Sequence, residues 1–304
     1  EFNPEDFYPN DPVVITISHL GYIKRTPLSE FREQSRGGVG SNGAHTRDED
    51  FTEYIYPATM HQTMLFFTKK GRCYWMKCYE IPEGAKNSKG RAIQNMLNIE
   101  ADDSVNAFLR IGRFNDEEFL NSHYVIFATK QGVIKKTSLK DYSRPRTNGV
   151  IAINIREDDE VVGVRLTNGH NEIILANRNG RAVRFDESLV RCMGRVSTGV
   201  RGMMLDAGDD ELVGMVIVND TKKETIMVVS ENGYGKRSQI EDYRKTNRGA
   251  KGVKTLSITE KTGRLVAIKI VTDENDLMII NKSGILIRLT INILTMLFFI
   301  FTSF

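Results

Sequence analysis

The sequence predicts an all-β protein built as a radial array of short-stranded blades, and three observations carry that prediction. A small polar residue stands three positions before a glycine six times: Ser18 before Gly21, Thr68 before Gly71, Thr129 before Gly132, Asn177 before Gly180, Ser230 before Gly233 and Asn281 before Gly284. These glycines recur at intervals of 50, 61, 48, 53 and 51 residues. After each of the first five, another glycine follows in a polar setting 16 to 19 residues later. Self-similarity at such a period marks a repeat architecture.

Each unit can be justified element by element. An apolar run precedes every turn glycine: Val13 to Ile17, Met64 to Phe67, Tyr124 to Ala128, Ile173 to Ala176, Ile226 to Val229 and Leu277 to Ile280. With the glycine supplying positive φ and the Ser, Thr or Asn side chain bonding the turn backbone, this reads as strand, tight turn, strand. The second loops hold Gly37 with Gly38, Gly90, Gly149, Gly199, and Gly249 with Gly252. An apolar run and a mostly acidic turn follow, as at 47–50, 100–103, 156–160 and 206–211, before a last strand closes the unit. About four short strands and little helix per unit match the blade of a radial β architecture. Such a blade cannot bury its own apolar faces, so neighbours must pack into a ring or arc.

The blades are expected to start near residues 13, 63, 123, 171, 225 and 275, within a domain spanning 13–288. Residues 1–12 read as a linker from a preceding part, and the missing initial Met suggests a piece of a longer protein. Residues 289–304 form an apolar tail too short and too interrupted by polar residues to span a membrane, which needs ~20 apolar residues. Truncation or a shifted reading frame accounts for it best.

With 40% hydrophobic and 27% charged residues, the composition is that of a globular protein and excludes disorder. Cys73, Cys78 and Cys192 lack metal-ligand spacing and read as buried thiols in a reducing compartment. Five scattered histidines argue against a metal cluster.

A net charge of +3 implies no polyanion partner by itself, so the argument rests on where the charges sit. The fourth residue after each turn glycine is Arg25, Trp75, Lys136, Arg184, Arg237 or Arg288, a cation in five of six units; Lys24, Lys135 and Lys236 precede three of them. The second loops add Arg36, Lys86, Lys89, Arg91, Arg144, Arg146, Arg191, Arg195, Arg201, Arg244, Lys245, Arg248, Lys251 and Lys254. If the units superpose, these cations form a belt around the rim, suited to a bent duplex and to phosphate contacts rather than base reading. On this reading Lys135, Lys136 and Arg237 face DNA, and reversing their charge weakens binding without unfolding.

Several stretches also carry a resemblance. VVITISHLGYIKRTPLSEF, GRCYWMKCYEIPEGAKNSKGRAI, GVIKKTSLKDYSRPRTNGVIAI, GRAVRFDESLVRCMGRVSTGVRGM and NGYGKRSQIEDYRKTNRGAKGV strongly resemble the C-terminal domain of the A subunit of bacterial DNA gyrase, over about Val13 to Arg288. The resemblance implies a six-bladed β-pinwheel whose sixth blade is here cut short, and a basic outer surface that wraps double-stranded DNA. It also implies a seven-residue gyrase box in the first unit's second loop, here Gln34-Ser35-Arg36-Gly37-Gly38-Val39-Gly40, with serine and valine replacing two of its three cations.

The DNA-binding set implied in this way is Lys24, Arg25, Gln34, Arg36, Gly37, Gly38, Gly40, Lys89, Arg91, Lys135, Lys136, Arg144, Arg146, Arg184, Arg191, Arg195, Arg201, Lys236, Arg237, Arg248, Lys251 and Arg288. Implied partners are DNA, the N-terminal part of the same gyrase polypeptide and the gyrase B protein in an A2B2 enzyme, in the bacterial cytoplasm at the nucleoid. No catalytic residue and no cofactor are expected in this domain; ATP and Mg act elsewhere in the enzyme. The alternatives are the corresponding C-terminal domain of topoisomerase IV, with its degenerate box, and a propeller-like protein-interaction scaffold.

Overall fold

The computed structural model describes residues 2–31, 50, 52–272, 276–280 and 286–290. Its repeated hairpins close as the residue pattern dictates. In the first five units the turn glycine lies at φ between +80° and +89° and its N–H donates to the carbonyl three residues back. The small polar residue at that position accepts from the N–H following the glycine: Tyr22 to Ser18 at 3.0 Å, Arg72 to Thr68 at 3.1 Å, Val133 to Thr129 at 3.2 Å, Arg181 to Asn177 at 2.8 Å and Tyr234 to Ser230 at 3.2 Å. The acidic turns brace the same hairpins. Asp50, Asp103, Asp159 and Asp210 accept from the turn N–H groups of Leu20, Lys70, Gln131 and Asn179.

Four blades are four-stranded antiparallel sheets, and in each the fourth strand comes from the following unit. Blade 1 has the order Thr52–Thr59, Pro12–Ser18, Tyr22–Pro27, Arg91–Ala92. Blade 2 runs Val105–Ile111, Thr63–Thr68, Arg72–Lys77, Val150–Ile151. Blade 3 runs Val161–Thr167, Tyr124–Thr129, Val133–Ser138, Val200–Arg201. Blade 4 runs Leu212–Val218, Glu172–Asn177, Arg181–Asp186, Val253–Lys254. Blade 5, with Leu265–Thr272, Glu224–Ser230 and Gly235–Gln239, has three strands among the described residues.

The expectation of six blades is corrected. The sixth unit contributes a two-stranded sheet, Asp276–Ile280 with Leu286–Thr290, and among the described residues no inner strand or loop strand joins it. The physical reason is the exchange of strands. A hairpin becomes a blade when an inner strand pairs with it, and the successor's glycine loop then closes its edge; among the described residues neither reaches the sixth hairpin. The architecture is an all-β propeller-like array of five blades, the fifth of which has an open edge among the described residues.

The second-loop glycines make that exchange possible. Gly90, Gly149, Gly199 and Gly252 have φ of +83°, +69°, +104° and +81°. A Cβ at these positions would lie 2.5, 2.8, 2.5 and 2.2 Å from the carbonyl oxygens of Ile23, Cys73, Ile134 and Ala182 on the preceding blade. Only glycine lets the loop pair that closely.

Four hydrophobic clusters lie between consecutive blades, joining for example Ile15 and Ile23 to Met64 and Phe66, and Leu65 and Phe67 to Val125 and Phe127. Apolar faces are thus buried by neighbours, as the repeat argument requires. The long 61-residue interval holds a short helix, Glu117–Ser122, whose Asp116 cap accepts from Phe119 N–H at 3.1 Å and whose Leu120 enters the core. Cys73 and Cys78 are buried, with burial pushing the Cys78 thiol up to about 12. Cys192 is exposed, because it stands on a second loop rather than on a core strand.

Candidate nucleic-acid interface

The cations at the third and fourth positions after the turn glycines point largely into the protein. Lys24 is 3% exposed, and its ammonium donates to the carbonyls of Ala85, Lys86 and Ser88 in the next unit's loop, at 3.0, 2.7 and 2.7 Å. Lys135 is fully buried and donates to Ala152 and Arg195 carbonyls. Burial pulls the pKa of Lys24 down to about 8, against the opposing pull of Glu30, and that of Lys135 to about 7. Lys136 pairs at 3.2 Å with Glu187, a carboxylate that also accepts from Thr167 Oγ1 and Asn171 N–H. Arg184 pairs with Glu172 at 2.5 Å and donates to the carbonyls of Ile240 and Tyr243 in the following loop.

The recurrence at this offset therefore has a structural cause. In the first four units a long donor here ties the hairpin to the next unit, which explains the one exception: Trp75 Nε1 donates to Tyr142 O at 2.9 Å, as Arg184 does to Tyr243. The reading of Lys135 and Lys136 as DNA-facing is corrected accordingly, since a buried ammonium that already has protein acceptors is not available to phosphates. Arg25 is half-buried and pairs with Glu83, Arg237 donates from Nε to Thr225 Oγ1, and Lys236, which is exposed, donates from Nζ to Thr255 O at 3.3 Å. Arg288 lies opposite Met278 in the sixth hairpin. Gln34, Arg36, Gly37, Gly38 and Gly40 lie outside the described residues.

The second loops present a different set. Arg91, Arg144, Arg146, Arg191, Arg201, Arg244 and Lys254 are exposed, and among the described residues their side chains make no hydrogen bond or ion pair. Neighbouring loop cations are partly committed: Lys89 sits 4.0 Å over the Tyr22 ring, Arg195 donates to Ile151 O, Arg248 to Leu189 O and Arg201 O, and Lys251 pairs with Asp206.

Successive loops are strung together. Asn98 Nδ2 donates to Asn148 Oδ1, Asn154 N–H to Ser197 O, Gly249 N–H to Gly202 O, and Met204 N–H to Ala250 O. The uncommitted cations therefore follow one hydrogen-bonded chain of loops from unit 2 to unit 5. Between the loops of units 3 and 4 lies a cleft of about 1090 Å³ that brings together Arg144, Arg146 and Arg195 with Lys140 and Phe114. Phe114 was not foreseen from the sequence; the signal was the longer interval between turn glycines, which places an insertion beside this loop.

The arrangement offers spaced positive charge, the cleft also being lined by Asp141 and by Glu117, which pairs with Lys140, and no group of three or more possible metal ligands occurs among the described residues. None of the described helices is long and apolar enough to cross a membrane.

Comparison with known proteins bears on this surface. The sequence model of the DNA gyrase C-terminal domain, beta-propeller, matches five segments, 12–58, 62–111, 123–168, 171–219 and 224–272, which coincide with the first five units, each the source of three strands of its own blade. The A subunit of DNA gyrase from Staphylococcus epidermidis is 43% identical over 292 residues, covering 96% of this chain and 32% of the relative. Its counterpart from Staphylococcus aureus is 43% identical over 291 residues with the same coverage, so the chain spans about a third of these relatives. Among solved structures, the C-terminal domain of DNA topoisomerase IV matches with a TM-score of 0.72 and 28% identity, over 93% of this chain and 85% of that one. A DNA gyrase A C-terminal domain shares the fold with a TM-score of 0.74 and 23% identity, over 93% and 90%.

Proposed function

Because the chain belongs to the DNA gyrase C-terminal domain family, we propose that it binds double-stranded DNA along its second loops and wraps it, without reading base sequence through a major-groove helix. The observation that carries this reading is the sorting of cations: those on hairpin strands are largely consumed by the protein, whereas seven exposed, uncommitted ones lie on one connected run of loops. A polyanion following that run meets charge at every blade from the second to the fifth, which is what holding a bent duplex requires.

In this role the domain serves the gyrase A protein, delivering a wrapped segment to a cleavage core formed with the gyrase B protein. Negative supercoiling, ATP and Mg then belong to the complete cytoplasmic A2B2 enzyme at the nucleoid.

A salt titration of binding to plain duplex DNA tests the reading. If the seven uncommitted cations each neutralise a phosphate, log K falls with log salt at a slope of about −6, which is a loss of about 10³–10⁴ in affinity between 50 and 200 mM. Binding indifferent to salt overturns it. Relaxed circles incubated with the chain and a nicking-closing enzyme then report the sense of wrapping as the sign of trapped supercoils.

A further inference from the structure

We infer that the tip of the third unit's loop, Arg144-Pro145-Arg146, inserts into the DNA minor groove and gives this one blade a preference for narrow, A·T-rich sequence. The inference rests on the DNA-binding reading above and adds to it a specific mode of contact at one place on the rim.

This loop differs from its counterparts. Tyr142 to Gly149 is a step of seven residues, against nine from Val190 to Gly199 and nine from Tyr243 to Gly252. In blades 1, 3 and 4 the loop makes an extra parallel bridge to the hairpin, at Arg25 with Glu83, Lys136 with Cys192 and Arg184 with Lys245. Blade 2 makes none at Trp75. The shorter loop is anchored only at its two ends, and its tip stands clear.

The anchoring is thorough. Trp75 Nε1 holds Tyr142 O, Tyr142 Oη donates to Ala152 O at 3.1 Å, and Ser143 Oγ donates to Lys140 O at 2.7 Å. On the far side Gly149 N–H donates to Arg146 O, while Arg72 and Asn98 fix Asn148. Little ordering entropy is then left to lose on binding.

What the tip offers is two exposed guanidinium groups with no protein partner, flanking a proline that presents an apolar ring and no N–H. Arginines enter narrow A·T minor grooves because the potential there is most negative, and small apolar residues including proline serve as wedges between base steps.

The surroundings fit a duplex straddling the tip. One side is the cleft of about 1090 Å³, and the other a cleft of about 650 Å³ lined by Trp75, Lys77, Met96 and Thr147; Ser143 and Arg146 border both. The minor groove is about 6 Å wide and bounded by two backbones, so a tip between two clefts has room for a backbone on either side. Lys140 is paired with Glu117 and Lys77 with Glu5, whereas the tip arginines have no ion pair among the described residues; Arg195 and Asp141 line the larger cleft beside them.

The test compares the full chain on a duplex with a central A-tract and on the same duplex with 2,6-diaminopurine replacing adenine, which fills the minor groove with amino groups. The unmodified chain should bind the A-tract about tenfold more tightly, within the range of a single base-pair discrimination. The double variant R144Q/R146Q should bind both duplexes equally. R244Q/K254Q removes the same charge from another loop and should weaken both duplexes while keeping their ratio. All three proteins should melt together, because none of the altered side chains has a partner. The inference is overturned if the unmodified chain shows no preference, or if R144Q/R146Q keeps it. Absence of binding to either duplex removes the DNA reading and this inference with it.

Discussion

Replacing Gly199 by alanine tests whether glycine in the second loop serves contact with the preceding blade. At φ +104° any residue with a Cβ is disfavoured, by about 1–2 kcal/mol. The added methyl would also lie 2.5 Å from Ile134 O and 3.0 Å from Val133 Cγ1, so the loop strand Val200–Arg201 must move away from its partners. Forced displacement of this kind costs about 1–3 kcal/mol more. The sum, about 2–5 kcal/mol, is a large part of a typical stability of about 5–15 kcal/mol.

Two controls separate the contributions. Gly208 has φ +94° with nothing within 4 Å of a Cβ, so G208A carries the backbone cost alone. Gly194 has neither positive φ nor a neighbour within 4 Å, and G194A should fall within about ±0.5 kcal/mol of the parent. Thermal melting of the three variants should rank G194A above G208A above G199A, with G199A lower by about 5–15 °C than the parent. If G199A melts with G208A, close approach to blade 3 is not what demands glycine there, and the account of strand exchange fails.

Two further predictions concern the buried cations. Lys136→Met leaves the fully buried Glu187 without its cation and should cost about 3–5 kcal/mol, read as a lowered denaturant midpoint; an unchanged midpoint would put Lys136 back on the surface. Lys135 concerns pH: burial holds its folded pKa near 7 while the unfolded side chain titrates near 10.5, so between these values the unfolded state binds more protons. The contribution is fully present above the unfolded pKa and lost as pH falls toward 7; hence stability should rise from pH 7 to pH 9, and Lys135→Met should flatten that slope in urea denaturation.

The period of the fold was plain in the residues because hairpin turns are local. The pairing of Ser18, Thr68, Thr129, Asn177 and Ser230 with their glycines needs only three or four positions of chain, and every such turn formed as read. The partners of the second loops are distant, so the residues there mark a loop without showing that its glycine serves close approach to Ile23, Cys73, Ile134 or Ala182. The recurring cations illustrate the same limit. Regular spacing shows that Lys24, Lys136 and Arg184 occupy equivalent places, but not whether those places face water or a neighbour's carbonyls. The sixth hairpin signal does not make a blade because among the described residues no inner strand joins it.

Strand exchange also sets a timetable for the chain as it leaves the ribosome. Ile23 waits for Arg91, 68 residues later, and Cys73 for Val150, Ile134 for Val200 and Ala182 for Val253 follow 77, 66 and 71 residues apart. No blade can finish when its own hairpin forms; each stays a three-stranded draft until most of the next unit has been synthesised. Pairings over such separations fold slowly because the loop must close before any contact rewards it. At every moment of synthesis, therefore, the newest blade exposes an unpaired edge. Blade 5, three-stranded among the described residues, shows what each earlier blade looked like in transit.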